Sequence, residues 1–134
     1  MNIQVSFGEG MQVNAHFGEF NVPTDQPASN GGQNTAPDPY SYFLTSLVTC
    51  AGFFVLRFCQ ARSIPMDGIS LSLENDWDVE QKLVKNIAIH IHLPPSFPAK
   101  YTSALIRATH ECSVKRALLN PPNIEVNAVQ AVTV

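Results

Sequence analysis

Residues 2–7 alternate apolar and polar side chains, with Ile3, Val5 and Phe7 on one side of an extended chain. Gly8-Glu9-Gly10 reads as a turn, Met11 to His16 resume the alternation, and Gly18 leads into Phe20 and Val22. A period of two interrupted by glycine predicts a meander of short β-strands. After Asp38 the period changes. Phe43, Leu47, Cys50 and Phe54 recur in steps of four, three and four, which keeps them on one face of an α-helix. Asp38-Pro39 supplies the start, a capping carboxylate ahead of a proline at the first helical position. The helix is expected to run to about Arg62, with Arg57 and Arg62 near its C-terminal end and Pro65 closing it.

Alternation returns over Ile69 to Glu74 and over Val84 to Leu93, with Asn75 to Lys82 as a charged turn between them. That pair predicts an antiparallel hairpin. Pro94-Pro95 and Pro98 introduce a second helix, Ala99 to about Glu111, whose stripe is Tyr101, Leu105, Ala108 and Cys112. It is expected to break up between Cys112 and Leu119. Pro121-Pro122 ends that region, and Ile124, Val126, Ala128 and Val132 outline a last strand. The order βββ-α-ββ-α-β, with no internal repeat, predicts an α+β fold of antiparallel sheets around two core helices, one domain over residues 1–134.

Composition narrows the function classes. With 45% apolar and 14% charged residues, the 134-residue chain is expected to bury a core. A net charge of −3 gives no footprint for nucleic acid. The charge is uneven: all eight basic residues lie from Arg57 onward, so any cation serving a site on the first helix must come from the second half of a chain. Met1 to Phe7 lacks the basic start of a secretory leader, and the apolar run Tyr42 to Leu56 is shorter than the ~20 residues of a bilayer span, so no membrane partner is expected. Three cysteines at irregular spacing point to a reducing, cytoplasmic setting.

The chemistry lies in the cysteines. Cys50 and Cys112 each close an apolar helical stripe, and if those faces meet, two thiols meet in an apolar interface. Cys59, nine residues after Cys50, falls on the opposite side of its helix and reads as structural. His90 and His92 share a strand face but lack an evident third ligand, so no metal is expected. Gly31-Gly32 suits a tight turn and has no following phosphate-loop lysine; no cofactor is called for.

Asp25-Gln26-Pro27, Gly31-Gly32 and Ala36-Pro37-Asp38-Pro39-Tyr40 lead into an apolar helix bearing Cys50, and a second motif runs Cys112-Ser113-Val114-Lys115-Arg116-Ala117-Leu118. This pattern resembles the OsmC/Ohr superfamily of thiol-dependent peroxidases over nearly the whole chain. The resemblance implies an intertwined homodimer in which Cys50 attacks a small-molecule hydroperoxide and Cys112 resolves the sulfenic acid as a disulfide. It also implies a dithiol reductant, often lipoyl-linked. A sulfenic acid is reversible when a second thiol captures it, which fits a paired cysteine. Phe43, Leu47, Phe53 and Phe54 would then form apolar walls suited to an organic hydroperoxide, since burying an alkyl tail is favourable by about 25 cal/mol per Å².

One departure stands out. The hydroperoxide reductases of that family carry an arginine in the loop before the helix and a glutamate after the proline. Here Tyr40 and Ser41 follow Pro39 and the loop has no arginine. Arg57, Lys115 or Arg116, or a cation from a mate, would have to replace it. The alternative function is a non-catalytic dimer holding a small hydrophobic ligand or a thiol partner in the same apolar cleft. The thiol pKa separates the two, because catalysis needs one well below the ordinary value of about 8.5.

Overall fold

The structure, a computed structural model, describes residues 1–130. Three strands, β1 (Gln4–Phe7), β2 (Val13–Phe17) and β3 (Phe20–Thr24), form an antiparallel sheet in that order, with Val5 opposite Ala15 and Ala15 opposite Val22. The connection that follows is held by one carboxylate. Asp25, almost wholly buried, accepts from the backbone N–H groups of Gln26 (2.8 Å), Gln33 (3.2 Å) and Thr35 (2.9 Å) and from the Thr35 hydroxyl (2.7 Å). Those bonds hold its carboxyl at about 2, well below the usual range. A side chain at Gly32 would collide with the Gln26 backbone, so glycine is required where the loop folds back on itself.

Helix α1 (Pro39–Gln60) begins as expected. Asp38 accepts from the N–H groups of Tyr40 (2.9 Å) and Ser41 (3.1 Å), with Pro39 at the first position. It stops two residues before Arg62 because Ile64 N–H turns back to the Cys59 carbonyl and Ser63 takes a left-handed conformation. Arg62 folds over the Phe58 ring at 3.7 Å. By length and composition α1 could cross a bilayer. Here it is the central helix, with β4 (Ser70–Asp78), α2 (Thr102–Ala108) and α3 (Ser113–Leu119) all packed on it. Val55, Phe58 and Cys59 of α1 bury themselves with Phe97 and Leu105, flanked by Leu71, Ile91, Leu93 and Tyr101.

β4 pairs antiparallel with β5 (Leu83–His92) as predicted, but the strand continues through Asn75, Asp76 and Trp77, which were expected in the turn. The turn is tighter because Asp78 takes the N–H groups of Glu80 (3.0 Å) and Gln81 (2.9 Å), leaving Trp77 in the ladder opposite Val84 beside a register shift.

The expected second helix is divided. A 3₁₀ turn at Ala99–Tyr101 leads into α2, another at Thr109–Glu111 ends it, and Cys112 turns extended before α3 begins at Ser113. Cys112 to Leu119 therefore does not fray. It restarts as a helix, with Cys112 Sγ accepting from Lys115 N–H at 3.4 Å, because Ser-Val-Lys-Arg-Ala-Leu-Leu has helix formers and no breaker until Pro121. The last strand is also corrected. Residues 121–130 form no regular element and pair with neither sheet, and Ile124, Val126 and Val129 stand exposed. Val132 lies outside the described residues.

Candidate functional site

The two cysteines are brought together, although the buried face of α1 runs through Leu47, Ala51, Val55, Phe58 and Cys59 and not along the expected stripe Phe43, Leu47, Cys50 and Phe54. Cys50, half-buried in the middle of α1, faces Cys112, buried at the junction of the Thr109–Glu111 turn and α3. The turn brings this about: it packs against α1, and Cys112's extended backbone reverses the chain so that the next N–H groups point back toward α1.

The pair is electrostatically unequal. Burial pushes the Cys50 thiol up, but the Cys112 thiol, the N–H groups of Val114 and Ser113 and the Ser113 hydroxyl outweigh it and bring Cys50 below its ordinary value. Cys112 moves the other way. Burial and its hydrogen bond to Cys50 raise it, against the Lys115 N–H. The first proton therefore leaves Cys50, and Cys112 keeps its own as a donor to that thiolate.

The four named causes of the lowering at Cys50 are neutral donors. The candidate cations are engaged elsewhere. Arg57 lies 5.7 Å from the Phe53 ring centre, and Arg116 reaches Glu111 at 4.0 Å. Lys115 contributes its backbone to Cys112 while its side chain borders a cavity. Ser113 and Val114 were read as part of the second cysteine motif but given no role, because period analysis did not resolve the helix start that turns their N–H groups toward Cys50.

The expected wall residues do not share one pocket. Leu47 is buried and lines a cavity of about 620 Å³. Phe43 sits against Tyr40, ring centres 5.3 Å apart, in a shallow depression with Pro27 and Trp77. Phe53 and Phe54 stack edge to face at 5.3 Å, with Phe53 half exposed. The larger cavity is walled instead by Ile87, Ile89 and Ile91 of β5 and by Leu105, Ile106 and Leu118 of the short helices, with Cys112 on its lining. The sequence placed Ile87, Ile89, Ile91 and Leu105 on apolar faces and did not single out Ile106 or Leu118; a periodic stripe does not say whether its face meets protein or space.

Cys59 is fully buried and raised by burial, with Arg62 partly opposing, as befits a packing residue. His90 approaches Glu74 at 3.7 Å and His92 bonds Ser72 at 2.8 Å. Among the described residues no group of three or more His, Cys, Asp or Glu could hold a metal.

The sequence profile of the family described as OsmC-like protein matches residues 32–127, which includes both cysteines. The chain belongs to the OsmC-like family. No curated protein sequence matches it. Among solved structures, this OsmC-like chain is similar to a Psychrobacter arcticus protein proposed to act in osmotic stress and detoxification, with TM-score 0.75, 18% identity and 87% of each chain covered. It is also similar to an organic hydroperoxide resistance protein of Legionella pneumophila, with TM-score 0.62, 20% identity and 87% of each chain covered. A third is the organic hydroperoxide resistance protein OhrB of Bacillus subtilis, with TM-score 0.55, 18% identity and 90% of each chain covered. At these identities the likeness establishes the shared fold.

Proposed function

We propose that this OsmC-like protein is a cysteine-based peroxidase that reduces small organic hydroperoxides, with Cys50 peroxidatic and Cys112 resolving. What supports this is the convergence of two cysteines where the Thr109–Glu111 turn and α3 pack on α1, with Cys50 shifted downward and Cys112 upward. The Cys50 thiolate attacks a peroxide oxygen and the O–O bond breaks. The alkoxide takes a proton and leaves as an alcohol, while Cys50 becomes a sulfenic acid. Cys112 then attacks Cys50 Sγ, its proton leaves with the hydroxide as water, and a disulfide forms. Neutral donors take over the role of the missing arginine. A lowered thiol beside a second thiol favours redox chemistry over passive binding. The hydroperoxide resistance proteins of Legionella and Bacillus, which share the fold, favour the same reading.

A homodimer belongs to the proposal. The chain exposes 10372 Å², against about 6,900 Å² for a compact monomer of this mass. The excess on one chain is larger than one partner's share of a typical obligate interface, so there is surface enough for one. Exposed Val5, Phe7 and Phe20 on the first sheet, Phe53 and Leu56 on α1, and Ile124 and Val126 on the arm supply apolar surface for it. The arm can gain in a second copy the strand pairing it lacks in its own. A dithiol reductant closes the cycle, and three free thiols suit a reducing cytosol.

The test is intact-mass and free-thiol analysis before and after one equivalent of cumene hydroperoxide, on wild type, Cys50→Ser and Cys112→Ser. Rapid loss of two thiols as a Cys50–Cys112 disulfide, with sulfenic acid trapped in Cys112→Ser, supports the peroxidase. Survival of all three thiols for many minutes ends it.

A further inference from the structure

We propose that the cavity between β5 and the α2–α3 segment binds an unbranched aliphatic carboxylate, with its chain along the isoleucines of β5 and its carboxylate at Lys115 and His110. This binding is independent of the thiol chemistry proposed above.

The cavity has a hydrocarbon body and one polar end. Alternation along β5 puts Ile89 and Ile91 on the face that carries Leu73 and Leu71 of β4, and both isoleucines enter the lining. The facing wall is α2 with the turn after it, which brings Thr102, Leu105, Ile106 and Thr109 at the spacing of one helical face. The polar end gathers around Cys112. His110 stands two residues before it, and Lys115 N–H donates to its Sγ at 3.4 Å; both residues border the cavity. His90 and His92 border it too, but alternation turns their rings to the other face of the hairpin. There His92 bonds Ser72 at 2.8 Å and His90 lies 3.7 Å from Glu74. The Thr109 hydroxyl already donates to the Ile106 carbonyl at 2.7 Å. The donors left for a ligand head at this end are therefore the Lys115 ammonium and the His110 ring.

The lining chooses among ligand classes. None of the described residues on it is Asp, Glu or an aromatic, so nothing there balances a cation. One lysine and one imidazole with no arginine suit a head of single negative charge better than a phosphate. A sugar would leave hydroxyls unpaired against isoleucine and leucine, whereas an alkyl chain gains from the same burial. Among the described residues Lys115 is in no ion pair, and Glu111 on the preceding turn reaches Arg116 at 4.0 Å instead. The volume of about 620 Å³ is that of a small-molecule site. The exposed apolar residues assigned to the dimer lie on other elements and none borders this space.

Full-length reduced protein is titrated by calorimetry with hexanoate, octanoate and decanoate, and with decanol and decyltrimethylammonium, each below its micelle concentration. Decanoate is expected to bind once per chain, with affinity rising roughly two- to fourfold for each added methylene. The carboxylate should bind best, the alcohol less well and the ammonium least. Lys115→Met should weaken decanoate by roughly two- to fivefold and leave decanol unchanged. Ile106→Trp, on the half-exposed rim, should weaken every ligand by narrowing the space. Cys50→Ser, off the lining, should bind as wild type does. The ligand series on wild type does not depend on any variant folding. An ammonium affinity that equals the carboxylate's, indifference to chain length, or unchanged decanoate binding in Lys115→Met overturns the site. Several molecules per chain with no effect of Ile106→Trp overturns it as well. If a second copy fills the cavity instead, wild type will bind no decanoate and Ile106→Glu will make the chain monomeric at micromolar concentration. No peroxide is present in these titrations, so they stand or fall apart from the peroxidase reading.

Discussion

Leu105→Ala isolates the contact on which the site's geometry depends. Leu105 has no exposed surface, belongs to the core cluster that seats α2 on α1, and forms part of the cavity wall near Cys112. Truncation removes three carbons, worth about 2.5 kcal/mol at roughly 0.8 kcal/mol each. In a sealed core the hole left behind would raise the loss toward about 5 kcal/mol. Here the hole merges with a cavity of about 620 Å³ that already exists, so the extra cost is small and the expected loss is about 2.5–3.5 kcal/mol. Leu118, across the same cavity but half exposed, should lose about 1 kcal/mol or less on the same change. Urea denaturation of the three proteins, at one fixed concentration because association would move the midpoints, reads both values when the slopes are equal. Titrating Cys50 in Leu105→Ala should also show its pKa rising, since α2 and the following turn carry Cys112. Equal losses for the two variants, or less than 1 kcal/mol at Leu105, would refute the seating of α2 described here.

Three further outcomes are expected. Cys112→Ala removes a donor to Cys50, so the pH midpoint for alkylation of Cys50 by iodoacetamide should move upward; an unchanged midpoint would place the lowering elsewhere. Asp25→Asn should destabilise the protein at neutral pH, because an amide offers one acceptor oxygen to four donors. The folded carboxyl is depressed, so its stabilisation is present above the unfolded value of 3.8 and lost as pH falls through about 2; thermal melts of wild type and variant should converge there. Arg62→Met removes the guanidinium over Phe58 and should cost about 0.5–2 kcal/mol by chemical denaturation, with Cys50 reactivity unmoved.

The sequence by itself determined the first meander, the capped start of α1 and the hairpin, but not the inward face of α1, which runs through Leu47, Ala51, Val55, Phe58 and Cys59. Each of the three is local: a period of two or 3.6, a carboxylate before a proline, a glycine where no side chain fits. It did not determine that Trp77 stays in its strand, that α3 restarts after Cys112, or that residues 121–130 stand free of this chain. The first two turn on Asp78's bonds to the turn and on one extended residue at Cys112; the third is a matter of which sheet edge, if any, the segment meets. The site divides the same way. The sequence offered a meeting of the two thiols only as a condition on their faces, and the packing of the Thr109–Glu111 turn on α1 fulfils it. That neutral donors lower Cys50 instead of a cation, and that a cavity reaches Cys112, could not be read. Hydrogen-bond direction and empty volume are properties of how elements pack, and residue order carries no direct trace of either.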